Sequence, residues 1–199
     1  MENVVSKEEL DSLSKIQGEV RGLAFKGDAD FVLHELGEEG LLKLESEMAN
    51  QGFPIKYREV KPMNFYPLSM DAISFLTMKR LFHFEDKKIK ELGSYLARVS
   101  IVLKLFMKYF VSLEAVAQKA PEMWKNHYTT GNLTVASIDE EKKEITLRLE
   151  NFNPHELYCL IFQGYFCNVI QMIVGRKPIS EETKCVFRGD PFHEFVIKW

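Results

Sequence analysis

The chain is poor in the residues that announce a role. Its three cysteines, at positions 159, 167 and 185 of 199, are odd in number and form no C-x-x-C pair. That excludes a disulfide framework and a cysteine-rich zinc module, and leaves the thiols reduced. An excess of one charge is missing too. With 26 basic and 29 acidic residues and an isoelectric point near 6.0, the chain offers no polyanion-binding surface, so no nucleic acid is expected as a partner. No apolar run of the ~18 to 20 residues that a transmembrane segment requires stands out, and the start Met1-Glu2-Asn3-Val4-Val5-Ser6-Lys7 lacks the regions of a signal peptide. A cytoplasmic location is the expectation that follows.

What is present suits one domain spanning residues 1–199. The chain is 46% hydrophobic and 28% charged, enough to bury a substantial core. Residues 1–128 read as mainly helical. Ser6, with Glu9 three residues on, forms a capping box for a segment reaching about Gln17. A short strand is expected over Glu19 to Phe25. Helices then follow from Asp28 or Asp30 to Gly37, from Glu38 to Asn50, and from a Ser69 cap to Leu81. Glu85 to Phe110 carries apolar residues at helical spacing throughout and predicts one long core helix. Ser112 opens another that Pro121 interrupts, with Glu122 to Tyr128 continuing in a new direction.

The period changes in residues 129–199. Leu133–Ile138 and Glu144–Leu149 alternate and predict a β-hairpin. Asn153-Pro154 opens a helix, and Leu157 to Val174 is apolar on nearly every side, which requires other elements to cover it. The last stretch reads Glu182-x-x-Cys185-x-x-x-Gly189-Asp190-Pro191-x-His193-x-Phe195. Apolar residues alternate on both sides of its turn, which predicts a second hairpin with Cys185 and His193 facing inward. A three-residue Arg188-Gly189-Asp190 loop would set Cys185 directly opposite His193. The class is α+β, a four-stranded antiparallel sheet of order β-β-α-β-β with one buried helix and the earlier helices closing over it.

Gly164-Tyr165, Gly175, Glu182, Cys185, Gly189, Asp190 and Phe195, within Leu133 to Trp199, resemble the 4-vinyl-reductase-type domain. That domain belongs to the ligand-binding fold shared by haem nitric-oxide sensors and the small subunits of the TRAPP vesicle-tethering complex. Family members commonly have cysteine where this chain has His193. The whole chain, with Arg21-Gly22, Tyr66-Pro67 and Gly93, also resembles an uncharacterised bacterial family of similar length with the same C-terminal fold. The resemblance implies a small-molecule-binding or sensory domain for apolar molecules such as lipids or hydrocarbons, acting through a partner regulatory protein. The alternative it implies is a TRAPP-like interaction scaffold with a vestigial pocket, which could form a homodimer.

Tyr165, Cys167, Asn168, Cys185 and His193 are the candidate lining of such a pocket, between the C-terminal sheet and the long helices. Cys185 and His193 carry three readings: ordinary core, pocket wall, or metal ligands. A zinc centre would need about two more donors, from Cys167 or Cys159 on the buried helix. Nucleophilic catalysis lacks a third group and an oxyanion hole, because Glu194 alternates to the opposite face and Asp190 belongs to the turn. The chain is therefore read as no enzyme. Haem needs an axial ligand facing an apolar cavity, and none of His34, His83, His127 and His155 is placed there by the sequence. The Y-x-S-x-R run by which nitric-oxide sensors hold haem propionates is also missing. Tyr57-Arg58 and Tyr95-Leu96-Ala97-Arg98 come near without matching.

Overall fold

In a computed structural model, residues 4–100, 103 and 112–199 are described. Helix α1 (Lys7–Leu13) starts at the expected capping box: the Ser6 side chain accepts from the backbone of Glu9, and the Glu9 side chain returns the bond to the Ser6 backbone. The box is tied into the fold, since Arg80 from a later helix binds both Glu9 carboxylate oxygens, at 2.7 and 2.5 Å. Strand β1 is only Glu19–Arg21 and pairs antiparallel with β2 (Phe65–Pro67). The chain turns helical at Leu23 rather than remaining extended to Phe25, beginning α2 (Leu23–Asn50). Gly37 kinks α2 with φ 67°, so the two expected segments join into one bent element.

Helix α3 (Leu68–Leu81) begins directly after Pro67, and Ser69 does not cap it. Helix α4 (Asp86–Val99) ends well before Phe110. The backbone of Ser100 is extended, and its hydroxyl accepts from the amide of Leu103, a cap-like bond that competes with helix continuation. The remainder of the expected long helix lies outside the described residues. Pro121 does not divide α5 (Leu113–His127), which runs through it, capped by Ser112 at the amide of Ala115 and anchored by buried Val116, Ala120 and Trp124.

Strands β3 (Asn132–Asp139) and β4 (Glu144–Glu150) form the expected hairpin, with Asp139 accepting from the amide of Lys142 in the turn. Helix α6 (Leu157–Val174) starts three residues after Pro154, and Gly175 closes it in the left-handed conformation. Strands β5 (Ile179–Lys184) and β6 (His193–Lys198) complete an antiparallel sheet of order β3-β4-β6-β5. Ile145, Leu147 and Leu149 of β4 lie opposite Ile197, Phe195 and His193 of β6, and all six are buried on the inward face.

Helix α6 has the length and apolarity of a membrane span, contrary to the sequence reading, yet half of it is buried within the fold. It is covered by the sheet on one side and by α4 on the other. The α4–α6 crossing is glycine to glycine. A Cβ on Gly93 would stand 1.9 Å from the carbonyl oxygen of Ile161, and one on Gly164 would stand 1.9 Å from that of Lys90. Nothing larger than hydrogen fits either position without moving backbone. The Ser94 hydroxyl donates to the Gly164 carbonyl at 3.1 Å across this contact.

Candidate functional site

Three buried features stand out: a four-residue ligand cluster, an apolar cavity and an acid pair. The cluster forms where the β5–β6 connection meets the start of α6. The connection is not the three-residue turn expected but the eight residues Cys185 to Phe192, containing a 3₁₀ turn over Val186–Arg188. After a shift between Glu182 and Lys184, β5 pairs with β6 as far as Lys184 opposite Glu194, so Cys185 and His193 fall opposite each other in that register, one position beyond the last paired residues, as the alternation predicts. The Asp190 carboxylate accepts from the amide of Cys185 at 2.8 Å and curls the connection, aiming the thiol at the helix.

On the helix side the partner is Cys159 in the first turn. Cys167 stands eight residues on, about 12 Å along the axis, and donates instead to the carbonyl of Pro178 at 3.1 Å. Cys159 Sγ lies 3.7 Å from Cys185 Sγ and 3.7 Å from His193 Nδ1, and Glu182 Oε1 lies 3.0 Å from the same nitrogen. The donor atoms of Cys159, Glu182, Cys185 and His193 all fall within 4.8 Å of one another. Burial, with Glu182 beside it, pushes the Cys159 thiol up. Burial opposes ionisation of Glu182 as well, but hydrogen bonds from His193 and Cys159 and the charge of Arg188 hold its carboxyl below the ordinary value.

His193 Nε2 donates to the carbonyl of Phe152 at 3.0 Å, and a carbonyl can only accept. Nδ1 then faces a carboxylate oxygen, itself an acceptor, at hydrogen-bond distance. That contact is satisfied by a proton shared between His193 and Glu182, carried on either group, or by a cation held among the four donors. A tetrahedral zinc with bonds of about 2.3 Å to sulfur and about 2.0 Å to nitrogen spaces its sulfurs about 3.8 Å apart and sulfur from nitrogen about 3.5 Å, close to the spacings here. The bond to Phe152 is of the kind that would orient His193 toward a metal.

The cavity, of about 350 Å³, lies elsewhere. Its wall comes from α6 (Ile161, Phe162, Tyr165, Val169), the sheet (Leu133, Val135, Ile145, Leu147), α5 (Trp124, His127), the end of α4 and the start of α2. Of the five sequence candidates, only Tyr165 lies on this wall. Cys185 and His193 are in the cluster, Cys167 is at Pro178, and Asn168 buries its side-chain oxygen without a partner among the described residues. Trp124, Tyr128 and His127 are cavity residues that the sequence did not place, because α5 carries them on a face whose neighbours only the fold supplies. Trp124 stacks on Tyr128 with centroids 4.5 Å apart. Burial, reinforced by Arg21, lowers the pKa of His127.

The acid pair sits deeper. Asp28 of α2 and Asp71 of α3 are both 0% exposed. Both oxygens of Asp28 and Oδ1 of Asp71 lack a partner among the described residues, while Asp71 Oδ2 accepts from the Tyr158 hydroxyl at 2.5 Å. Burial raises both carboxyls, and the charge of Asp71 raises Asp28 further. The sequence marked Asp28 only as a possible helix start and did not mark Asp71.

The architecture is the fold of H-NOX and TRAPP proteins. Neither the family models nor the curated proteins gave a match. An H-NOX protein from Shewanella oneidensis in the Fe(II)NO ligation state superposes with TM-score 0.68 at 14% identity, covering 89% of this chain and 98% of its own. A mutant of that protein in the Fe(II) ligation state gives 0.71 at 14% identity, with 89% and 95% covered. A trafficking protein particle complex subunit 3 from Naegleria fowleri, covalently bound to palmitic acid, gives 0.50 at 15% identity, over 66% of this chain and 92% of its own.

Haem, which the H-NOX likeness brings to mind, was tested against the residues present. His127 does bring one imidazole to the cavity wall, but among the described residues no arginine lines it. Lys26, the cation there, donates its ammonium to the carbonyl of Arg58 at 2.6 Å. The residues do not fit the group.

Proposed function

We propose that this chain is a small-molecule-binding sensory domain of the 4-vinyl-reductase type, taking an apolar ligand in the cytoplasm and signalling through a regulatory partner protein. One observation carries the reading: an apolar cavity of about 350 Å³ between α6, the sheet and α5, within the size range of ligand pockets. The fold likeness supports it, since the H-NOX protein is described with a bound nitric oxide ligand and the TRAPP subunit with palmitic acid. No residue is assigned a catalytic role. His193 turns the same nitrogen toward thiol and carboxylate and spends the other on Phe152, so it cannot pass a proton from one to the other. Mass spectrometry of gently extracted protein tests the reading. A co-purifying apolar molecule supports it, whereas an empty protein forming a stable homodimer overturns it in favour of an interaction scaffold.

The cluster favours a second reading, in which a metal ion ties the β5–β6 connection to α6. Two thiols, an imidazole and a carboxylate form a donor set suited to zinc. Cys159 and Cys185 would bind as thiolates, with His193 and Glu182 completing the set. The ion would hold the hairpin against the helix. Metal analysis of purified protein should give about one zinc per chain, lost in Cys159→Ser and retained in Cys167→Ser. Absence of metal from protein prepared without chelators would leave the proton shared between His193 and Glu182 as the correct arrangement.

A further inference from the structure

The tyrosines divide cleanly. Among those described, Tyr57 shares a hydrogen bond with Ser74 at 2.6 Å, Tyr66 accepts from the amide of Lys61 at 2.9 Å, Tyr95 donates to the carbonyl of Asp30 at 3.3 Å, and Tyr158 donates to Asp71. Tyr128 and Tyr165 make no hydrogen bond to any described residue, and they are the two tyrosines on the cavity wall. Tyr165 is also among the groups that raise the Tyr128 hydroxyl, which puts the two phenols in one neighbourhood. The nearby indole of Trp124 is already committed, its N–H donating to the carbonyl of Thr130 at 2.9 Å.

From this we infer that the cavity selects an uncharged ligand: an apolar body carrying a hydroxyl or carbonyl group, which the phenols of Tyr128 and Tyr165 hold. A phenol both donates and accepts, so it can satisfy either group. An alkane would leave the two hydroxyls unmatched. A charged end fares worse, because an ion moved into an apolar site needs a counter-charge and hydrogen bonds there. Among the described residues the wall has no such buried partner to spare: Lys26 is held by the carbonyl of Arg58, and Asp30, one turn later on the same helix, is exposed to water. Arg21, which approaches His127, donates to the carbonyls of Asn126 and Met63. Burial and that cation both keep His127 in its neutral form.

This specificity rests on the cavity being a ligand site, and one titration separates the two ideas. Diphenylhexatriene, a wholly apolar fluorophore, reports occupancy, and 1-octanol, octanoate and octylammonium compete with it at pH 7.5, below their critical micelle concentrations. Octanol should displace the probe at a concentration at least about tenfold lower than either ion, in keeping with the cost of burying an unpaired charge. Tyr128→Phe and Tyr165→Phe should each weaken octanol roughly three- to tenfold, the worth of a hydrogen bond between neutral groups. Both variants should bind diphenylhexatriene as the native protein does, which shows the cavity intact. Equal displacement by octanoate, or a double phenylalanine variant that keeps full octanol affinity, overturns the selectivity while the ligand site stands. Failure of the native protein to bind the probe and all three competitors overturns both.

Discussion

The two buried polar clusters of this protein make opposite use of the interior. Around His193 every group meets a complementary one: imidazole faces carboxylate, carbonyl and thiol. Around Asp28 two carboxyls from α2 and α3 share a site in which, among the described residues, no cation pairs with them and three of their four oxygens find no partner. Three titratable groups of other elements feel the charge of this pair and are themselves weak acids: Tyr158 of α6, Tyr128 after α5, and Tyr57 of the 3₁₀ turn before β2. The first cluster is a clasp between hairpin and helix. The second stores unfavourable free energy unless it is protonated, because an unpaired buried charge costs several kcal/mol.

Removing His193 should produce the largest effect. His193→Ala takes from the Glu182 carboxylate, whose side chain is 6% exposed, its hydrogen-bond partner and leaves Arg188, 3.8 Å away, as its cationic neighbour. The expected loss is about 3 kcal/mol, as for other broken buried pairs, read from the urea midpoint. A loss under about 1 kcal/mol would show the clasp to be ordinary packing.

The acid pair should respond to pH in the opposite sense to most carboxylates. A carboxyl whose folded pKa is raised binds its proton more tightly in the native state. Its contribution is therefore fully present below the unfolded value, 3.8 for aspartate, and is lost as pH rises through the folded value. The pair's contribution to stability should decline from about pH 4 through neutrality, by on the order of 2 kcal/mol, read as the difference between the native chain and its double asparagine variant. That variant, Asp28→Asn/Asp71→Asn, is compared with the native chain by chemical denaturation across that range. At pH 8, Asp28→Asn alone should be more stable than the native chain by about 1 kcal/mol, since it removes one ionisable partner of the pair. A difference that grows in the native chain's favour over this window would place the pair's protons elsewhere.

The smallest effect separates the cysteines. Cys167→Ser keeps a donor for the Pro178 carbonyl and should change stability by less than about 1 kcal/mol. Cys159→Ser, which alters the clasp, should cost more and should change the spectrum of a cobalt-loaded protein. Equal effects at the two positions would erase the distinction between them.

Much of the architecture was legible from one-dimensional patterns because local physics decides them. The Ser6-Glu9 box, the alternation in Leu133–Ile138 and Glu144–Leu149, the helix closed by Gly175 and the period-2 apolar residues of the last strand each need only near neighbours. The errors came where distant groups, or a competing local bond, prevailed. Ser100 ends α4 by capping Leu103, although apolar spacing continues beyond it. Pro121 sits within α5 because buried Val116, Ala120 and Trp124 hold the helix on both sides of it. The final connection is eight residues because the Asp190 carboxylate and backbone fold back on Cys185. Alternation brought Cys185 and His193 together in the register that β5 and β6 keep up to Lys184 and Glu194, although the connection is longer than three residues.

By itself, then, the order of residues determined the α+β class, the sheet-and-buried-helix unit and the convergence of a thiol and an imidazole on one side of it. Alternation and helical spacing are written along the chain, and burial follows from them. Only tertiary structure decided that Cys159 rather than Cys167 completes the cluster, that His193 belongs to a clasp and not to the cavity, and that Tyr128 and Tyr165 face the same apolar space. Each of those facts depends on how α4, α5, α6 and the sheet dock. Docking is set by contacts such as Gly93 against Gly164, 71 positions apart in the chain, which no local pattern records.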